Sequence, residues 1–247
     1  MGILMKIPKK ITPDRIRDSI VELRYRSEIP YEVLTGIFFQ EIKDRFKYSN
    51  RPLGQQQFPI GVPTLPQEIT LSFGGISLFH NDQIKIQIQP NSIIFNCVDQ
   101  YRGWEHYKIE IFEALTSFHK CGIIAYSRIG IRYVSEYPHM DLADCVNFSF
   151  SFGLPSIKSD SYSFRSEFRI DHYKVILNLN NKLPIVMGSD KEIVPTSLVD
   201  LDVIEEKDDD DSLENIFNRL EQAHSKEKEL FFQLLKESFL KSLNPEY

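Results

Sequence analysis

Several stretches of the chain alternate apolar and polar residues with a period of two, the pattern of a half-buried β-strand. In residues 19–26, Val21, Leu23 and Tyr25 fall on one face, and charged residues fall on the other. Residues 124–137 alternate in the same way over a longer stretch. The pattern predicts strands at 19–26, 68–73, 83–89, 92–98, 124–137, 145–152, 163–170, 173–179 and 197–206.

Other stretches space their apolar residues three and four positions apart, which is typical of an amphipathic helix. This spacing predicts three main helices, at 30–47, 104–120 and 213–240. Pro30 suits a first helical position, and Gly122 suits the end of the second helix. Ser212 is a favourable N-cap for the last helix, and the acidic residues before it suit the positive end of the helix dipole.

Turn residues separate these elements. Pro90-Asn91 and Asp171-His172 each predict a tight turn between two strands. Four prolines interrupt residues 48–67, which we predict to be a long irregular loop, either a binding segment or simply a mobile or packed one. The other predicted loops and turns are 153–162, 180–196 and the acidic stretch 207–211.

The order of elements predicts an α+β fold, with a mostly antiparallel sheet, or sheets, packed against the three main helices. Residues 1–138 form a β-α-β-β-β-α-β unit, and residues 139–247 form a β-β-β-β-α unit. We expect these two fused sheet–helix units to pack as one compact body.

Charge and composition narrow the classes of function. The chain has 247 residues and a formal net charge of −6, so attraction of the whole molecule to nucleic acid or to an anionic membrane is not expected. The excess acid is concentrated in residues 200–214, and basic residues lie on strand faces of the first half, so local nucleic-acid binding stays open. No apolar run is long enough for a membrane helix, and residues 1–10 lack the apolar core of a signal peptide.

The sequence therefore predicts a cytoplasmic protein, and the cysteines agree with this expectation. They are odd in number and form no CxxC pair, so we expect buried, reduced thiols rather than disulfides or a zinc site. No catalytic signature is present, so enzyme activity is not indicated and no cofactor is predicted. The cysteines are Cys97, Cys121 and Cys145.

Charged residues on the polar faces of the predicted strands are the main candidates for a functional site. A sheet can place such residues side by side, with acids opposite bases. They either form cross-strand ion pairs on a solvated face or line a polar groove for a charged ligand or a partner segment. The candidate groove residues are Glu22, Arg24, Arg128, Arg132, Glu167, Arg169, Asp200 and Asp202.

Two further features have both a structural and a functional interpretation. Asp200, Asp202, Glu205 and Glu206 resemble carboxylate ligands for Mg²⁺-dependent phosphoester chemistry, but they also suit a solvated acidic face. His224 lies near the apolar stripe of the last helix, where a packed or capping histidine is the more common role. It is nevertheless the histidine that we single out for mutation.

Three segments resemble a sporadically distributed prokaryotic protein family of uncharacterised function. Residues 9–25, KKITPDRIRDSIVELRY, end in an IVELRY-like run. Residues 127–137, SRIGIRYVSEY, are similar to the family's I-G-x-R-Y-[VI]-[SN] strand. Residues 220–247 are similar to its terminal helix, in which a hydrophobe and A-H precede L-F-x-x-L. In this order, the segments cover both ends and the middle of the chain.

The resemblance implies a compact, one-piece protein without an assigned enzyme activity. The family's patchy distribution is typical of the mobile accessory genome, which includes phage-defence and toxin–antitoxin loci. The favoured function is therefore a non-enzymatic interaction module of such a system, with a protein partner encoded nearby. A metal-dependent nuclease or phosphoesterase is one alternative, and a protein that binds a small charged, nucleotide-like ligand is another.

Overall fold

The computed structural model describes residues 6–50, 77–98, 100–149, 160–187, 192–210 and 212–247. Its centre is one sheet of nine strands, in the order β2-β3-β4-β5-β1-β6-β9-β8-β7. Every neighbouring pair is antiparallel. The strands are β1 (Ile16–Ser27), β2 (Lys47–Asn50), β3 (Ser77–His80), β4 (Ile84–Gln89), β5 (Ser92–Cys97), β6 (Ile123–Pro138), β7 (Tyr162–Ile170), β8 (Tyr173–Met187) and β9 (Glu192–Asp210).

Helices cover one face of this sheet, which we call the helical face. The alternating apolar residues of the strands, such as Val21, Leu23, Ile129 and Ile131, point to this face and are fully buried. Each helix contributes side chains to one of the two large apolar clusters there. The helices are α1 (Tyr31–Ile42), α2 (Trp104–His119), α3 (Leu142–Cys145), α4 (Leu213–Leu234) and α5 (Glu237–Ser242).

The predicted fold class is confirmed: the protein is α+β, with an antiparallel sheet and three main helices, α1, α2 and α4. Strands from both halves of the chain share the sheet, because β6 pairs with β1 on one side and with β9 on the other. The longest strands meet at this junction and position the charged residues described below. None of the helices in the described ranges is both long and apolar enough to cross a membrane.

The alternation places most elements correctly. β1, β4, β5, β6 and β7 lie where it predicts them, and the turns at Pro90-Asn91 and Asp171-His172 join β4 to β5 and β7 to β8. Ser212 caps α4, since its side chain accepts a hydrogen bond from the Asn215 amide. Gly122 follows α2 with a φ of 95°, a conformation that glycine adopts without the steric cost of a Cβ atom.

Three predictions of element type are wrong. The loop expected at 180–196 is strand wherever the structure describes it, because β8 continues to Met187 and β9 begins at Glu192. The acidic turn expected from residue 207 is also strand, since β9 runs to Asp210. In the strand expected at 145–152, Cys145 ends α3 and Val146 makes only an isolated bridge to Leu235.

Two predicted helices are too long. The helix expected at 30–47 ends at Ile42, and β2 begins at Lys47 as an edge strand that the pattern does not predict. The helix expected at 213–240 is interrupted at Leu235, and α5 follows. β3 was not predicted either. The strand expected at 68–73, the loop expected at 153–159 and most of the Pro-rich segment 48–67 lie outside the described residues.

All three cysteine thiols are free. Cys121 and Cys145 are buried as predicted, whereas Cys97 is half-buried. Burial raises the pKa of all three thiols, so they are held in the protonated, weakly nucleophilic form at neutral pH.

Candidate functional site

The second face of the sheet carries the predicted charged residues, and we call it the polar face. Directly opposed residues of an antiparallel pair point to the same side. The register aligns Arg24 with Arg128, Arg132 with Asp202, and Arg169 with Lys174. All eight candidate groove residues therefore lie on the same face of one sheet. They do not meet in one pocket, because they are spread from β1 to the β7 edge.

A chain of hydrogen bonds crosses the polar face from β6 to β7. Arg132 donates from Nε and Nη2 to the two carboxylate oxygens of Asp200, at 2.7 Å each. Asn178 donates to Asp200 Oδ2 at 2.9 Å and accepts a bond from Arg165 at 3.2 Å. Arg165 also donates to Glu167 at 2.7 Å. The two-pronged bond between Arg132 and Asp200 is the geometry that guanidinium and carboxylate groups favour.

A second ion pair joins β1 to β6. Arg128 Nη1 lies 2.7 Å from Glu22 Oε1, and the Arg128 side chain is only 12% exposed. Arg24 Nε lies 3.7 Å from the same Glu22 oxygen, and its side chain is more exposed. Gly130 separates the two arginines of β6. A Cβ atom there would lie 3.6 Å from both Arg128 Nη2 and Asp202 Oδ1, an ordinary contact distance, so these two groups lie close to the sheet at this position.

Asp202 lies at the centre of the polar face. Burial raises the pKa of its carboxyl group to about 6, and the charges of Asp200 and Glu22 act in the same direction. Arg128 and Arg132 oppose this shift but do not cancel it. Asp202 therefore gains or loses its proton close to neutral pH, which an ordinary aspartate does not do.

The polar face ends at the β7 edge in exposed charges. Lys174 bonds to Glu167 at 2.8 Å, while Arg169 makes no ion pair with the described residues. At another side of the face, Leu183 and Ile185 of β8 pack on Val134 and Leu198. We call the described parts of β8 and β9 within residues 180–196 the β8–β9 arm. This arm, which was expected to be a loop, thus forms a small apolar cluster beside the charged residues.

The acidic residues considered as metal ligands are divided between the two faces. Asp200 and Asp202 lie on the polar face, whereas Glu205 points to the helical face and accepts a bond from Arg219 at 2.9 Å. Glu206 is exposed. Within the described residues, no group of three or more His, Cys, Asp or Glu side chains is arranged to hold a metal ion.

His224 lies on the helical face, away from the polar face. Its ring stacks on Trp104 at a centroid distance of 4.3 Å, and Nδ1 lies 3.2 Å from the Tyr133 hydroxyl. The Tyr133 hydroxyl is also 3.1 Å from that of Tyr101. Burial lowers the pKa of His224 to about 3, and nearby Lys228 adds to the effect. The histidine is therefore neutral at physiological pH, and its geometry is that of a packed side chain.

An open groove of about 580 Å³ lies between the β7–β8 turn and α4. Asp171 and His172 form one wall, and Lys226 reaches across to Asp171 at 3.2 Å. Glu221 lies at the other end, where Trp104 Nε1 donates to it at 2.8 Å. Three carboxylates, those of Asp171, Glu221 and Glu229, and one lysine, Lys226, line the groove.

Sequence reasoning missed two residues of the polar face. Asn178 joins Asp200 to Arg165, and Arg165 forms the link to the edge strand. Arg165 could have been found, because it alternates with Glu167 and Arg169 in the same strand. Asn178 carries no charge, and only its neighbours in the folded sheet reveal its role.

A comparison of the chain with protein-family models gives no match, and a comparison with curated protein sequences gives none either.

Proposed function

We propose that this protein is a non-enzymatic interaction module that binds a partner protein across its polar face. The observation that carries the proposal is the distribution of the charged residues. They extend over five neighbouring strands on the side of the sheet opposite the described helices. A small ligand or a reaction centre needs groups that converge in a concave pocket, whereas a protein segment binds along an extended surface.

The partner segment is acidic in this proposal. Three cations of the polar face are well exposed: the side chains of Arg132 and Arg165 are 43% and 50% exposed, and that of Arg24 is 53% exposed. The carboxylate of Asp200 lies beneath and is only 9% exposed. Exposed guanidinium groups bind carboxylates in a two-pronged geometry.

Single-stranded nucleic acid fits this surface less well. Proteins that bind it commonly stack bases on aromatic side chains. Between β1 and β7, the described side chains that the register places on the polar face include no Phe, Tyr or Trp. Their partly exposed apolar members are aliphatic, such as Ile20 and Ile176, which offer packing to a peptide but no stacking surface.

The biological setting of the proposal rests on the family resemblance. Patchy distribution supports a role in a prokaryotic phage-defence or toxin–antitoxin system, in which interacting proteins are commonly encoded together. We therefore propose that the partner is encoded near this protein.

Reversing charge at exposed positions of the polar face tests the proposal. Lys85 of β4 is exposed and also lies on the polar face, because the register aligns it with Asn96 of β5 and Asn96 with Ile20 of β1. In Arg24→Glu/Lys85→Glu, we expect capture of a protein encoded in the same locus to fall at least about tenfold, because two cations that attract the acidic segment become repulsive. Co-purification from the native host, quantified by mass spectrometry, measures the change. The matched control is Lys120→Glu, an exposed lysine that follows α2. Equal capture by all three proteins would contradict the proposal.

A small charged, nucleotide-like ligand is the second candidate. The open groove between the β7–β8 turn and α4 is the site for it: its volume of about 580 Å³ lies in the range of small-molecule sites, and Lys226 lies in its lining beside three carboxylates. We expect nucleotides to raise the melting temperature of the wild type by a few degrees. The melting temperature of Lys226→Met should not change when nucleotides are added. Lys120→Met is the control, and a flat thermal-shift screen with the wild type removes this candidate.

A further inference from the structure

Strand β7 lies at one end of the sheet, and its outer edge is open in the described structure. β7 pairs with β8 along its whole length, from Tyr162 opposite Asn181 to Ile170 opposite Tyr173. No other described strand pairs with β7. An edge strand of nine residues is long, and outward backbone groups that pair with no described strand form a template for another strand.

The hairpin geometry shows which backbone groups point outward. Only Asp171 and His172 separate β7 from β8, and in such two-residue turns the closing pair exchanges both of its hydrogen bonds. Ile170 therefore bonds to Tyr173, and bonded and non-bonded pairs alternate from there. The N–H and C=O groups of alternate residues consequently point away from β8, namely those of Ser163, Arg165, Glu167 and Arg169.

The sequence of β7 is complementary to itself when it is reversed. In YSFRSEFRI, Ser166 is the central residue. An antiparallel copy centred on Ser166 places Arg165 opposite Glu167 and Glu167 opposite Arg165. It also places Phe164 opposite Phe168. Arg165 and Glu167 are outward-facing at the backbone, so this register also satisfies the hydrogen-bonding pattern of an antiparallel pair.

We propose that a second copy of this chain pairs with the outer edge of β7, in antiparallel register about Ser166, and makes a sheet that is continuous across both copies. Such an interface is isologous, because each copy uses the same residues. Two Arg165–Glu167 pairs and two Phe164–Phe168 pairs form across it, and cross-strand pairs of both kinds stabilise a sheet.

The exposure of the β7 side chains supports pairing with a second copy of the chain. Phe168 is 36% exposed, although its neighbours on the helical face are core residues. Arg165 and Glu167 are bonded to each other within one chain, so they can exchange this contact for the equivalent contacts to a second copy. A two-fold axis perpendicular to the sheet keeps the two polar faces on the same side. The dimer would therefore present one polar face of double width.

Exchanging the charges at positions 165 and 167 tests the proposed register. We expect the purified wild type to have twice the mass of one chain by light scattering, and Arg165→Glu and Glu167→Arg to be monomers. Each single variant places two like-charged pairs in the interface, which weakens association roughly tenfold or more. An equimolar mixture of the two variants restores both opposite-charge pairs, as does the double variant R165E/E167R. Both are therefore expected to be dimers.

A pair of proline variants tests the use of the backbone. Glu167→Pro removes an outward N–H, so the chain should stay folded and become monomeric. Ser166→Pro removes a bond to β8 and should lower the melting temperature instead. Circular dichroism melts of every variant separate loss of folding from loss of pairing.

Three results would overturn the proposal. They are a wild type that is monomeric at all concentrations, single variants that remain dimeric, and a mixture of the folded single variants that remains monomeric. A monomeric wild type would show that a second copy does not cover this edge. The test does not use the partner of the polar face, so its outcome is independent of the proposed function.

Discussion

Replacing Arg219 with methionine is expected to lower the free energy of unfolding by about 3–5 kcal/mol, the usual effect of breaking a buried ion pair. Arg219 of α4 donates from Nε to Glu205 Oε2 of β9 at 2.9 Å. The two side chains are only 6% and 10% exposed. Without the arginine, the Glu205 carboxylate stays in the interface between helix and sheet and has lost the strongest compensation for its desolvation. Urea denaturation of the wild type and the variant measures the difference.

The double variant R219M/E205L separates the cost of an unpaired charge from the loss of packing. Replacing both members of a buried ion pair with apolar residues of similar size is often neutral. We therefore expect most of the stability to return when Leu replaces Glu205. Lys241→Met is a matched control, because the pair between Lys241 and Glu237 is highly exposed and should contribute little to stability. An Arg219→Met variant as stable as this control would contradict the prediction.

The arrangement of the strands could be predicted in part from the sequence, because a period of two gives the face of each residue directly. Alternation shows that Glu22, Arg128 and Asp202 lie on the polar sides of their strands. It does not show which strands are neighbours. The order β1-β6-β9-β8-β7 depends on contacts between residues far apart in the chain. The placement of Arg132 over Asp200 could not be derived from local patterns.

The prediction of a loop at the β8–β9 arm was wrong because it relied on two prolines. Pro184 and Pro195 normally indicate a loop, since proline donates no backbone hydrogen bond. In the structure these two prolines lie opposite each other in the same ladder. The Pro195 carbonyl accepts a bond from the His139 amide at 2.8 Å, so it points away from β8 and the two prolines form a non-bonded pair. Neither proline therefore deprives the other of an expected N–H donor. A single-sequence pattern does not reveal such a pairing.

The interruption of the last helix has a tertiary cause. Apolar spacing continues through residue 240, so the pattern predicts one long helix. The chain at Leu235 is instead extended and bridges to Val146. The Asn147 amide donates to the Leu234 carbonyl, and the Lys236 amide donates to the Cys145 carbonyl. These bonds between distant segments replace helical ones, and they also explain why residues 145–147 do not continue as a strand of the sheet.

The protein is expected to lose stability on acidification below pH 6.5 because of His224. The ordinary pKa of histidine is 6.5, and burial lowers that of His224 to about 3 in the fold. The unfolded chain therefore binds a proton in an interval where the folded chain does not. The contribution of His224 is fully present above pH 6.5 and falls by up to about 1.4 kcal/mol per pH unit until pH 3.

Replacing His224 with phenylalanine isolates this effect. Phenylalanine keeps an aromatic ring against Trp104 but has no proton to gain, so we expect a flatter dependence of unfolding free energy on pH between 6.5 and 3. The loss of the hydrogen bond to Tyr133 lowers stability at every pH, and it does not alter the slope. Urea denaturation at a series of pH values measures both quantities. Parallel curves for the two proteins would rule out the assigned pKa of His224.

Asp202 acts in the opposite direction, and the comparison must allow for it. Its folded pKa of about 6 lies above the ordinary value of 3.8, so its carboxyl group stabilises the fold in acid and loses that contribution as pH rises from 3.8 to 6. Fully buried Glu227, whose pKa burial also raises, has the same sign. In the wild type these groups offset part of the His224 effect. Because they are present in both proteins, the difference between the two curves belongs to His224, whose charged neighbours Lys228, Glu221 and Lys108 are unchanged.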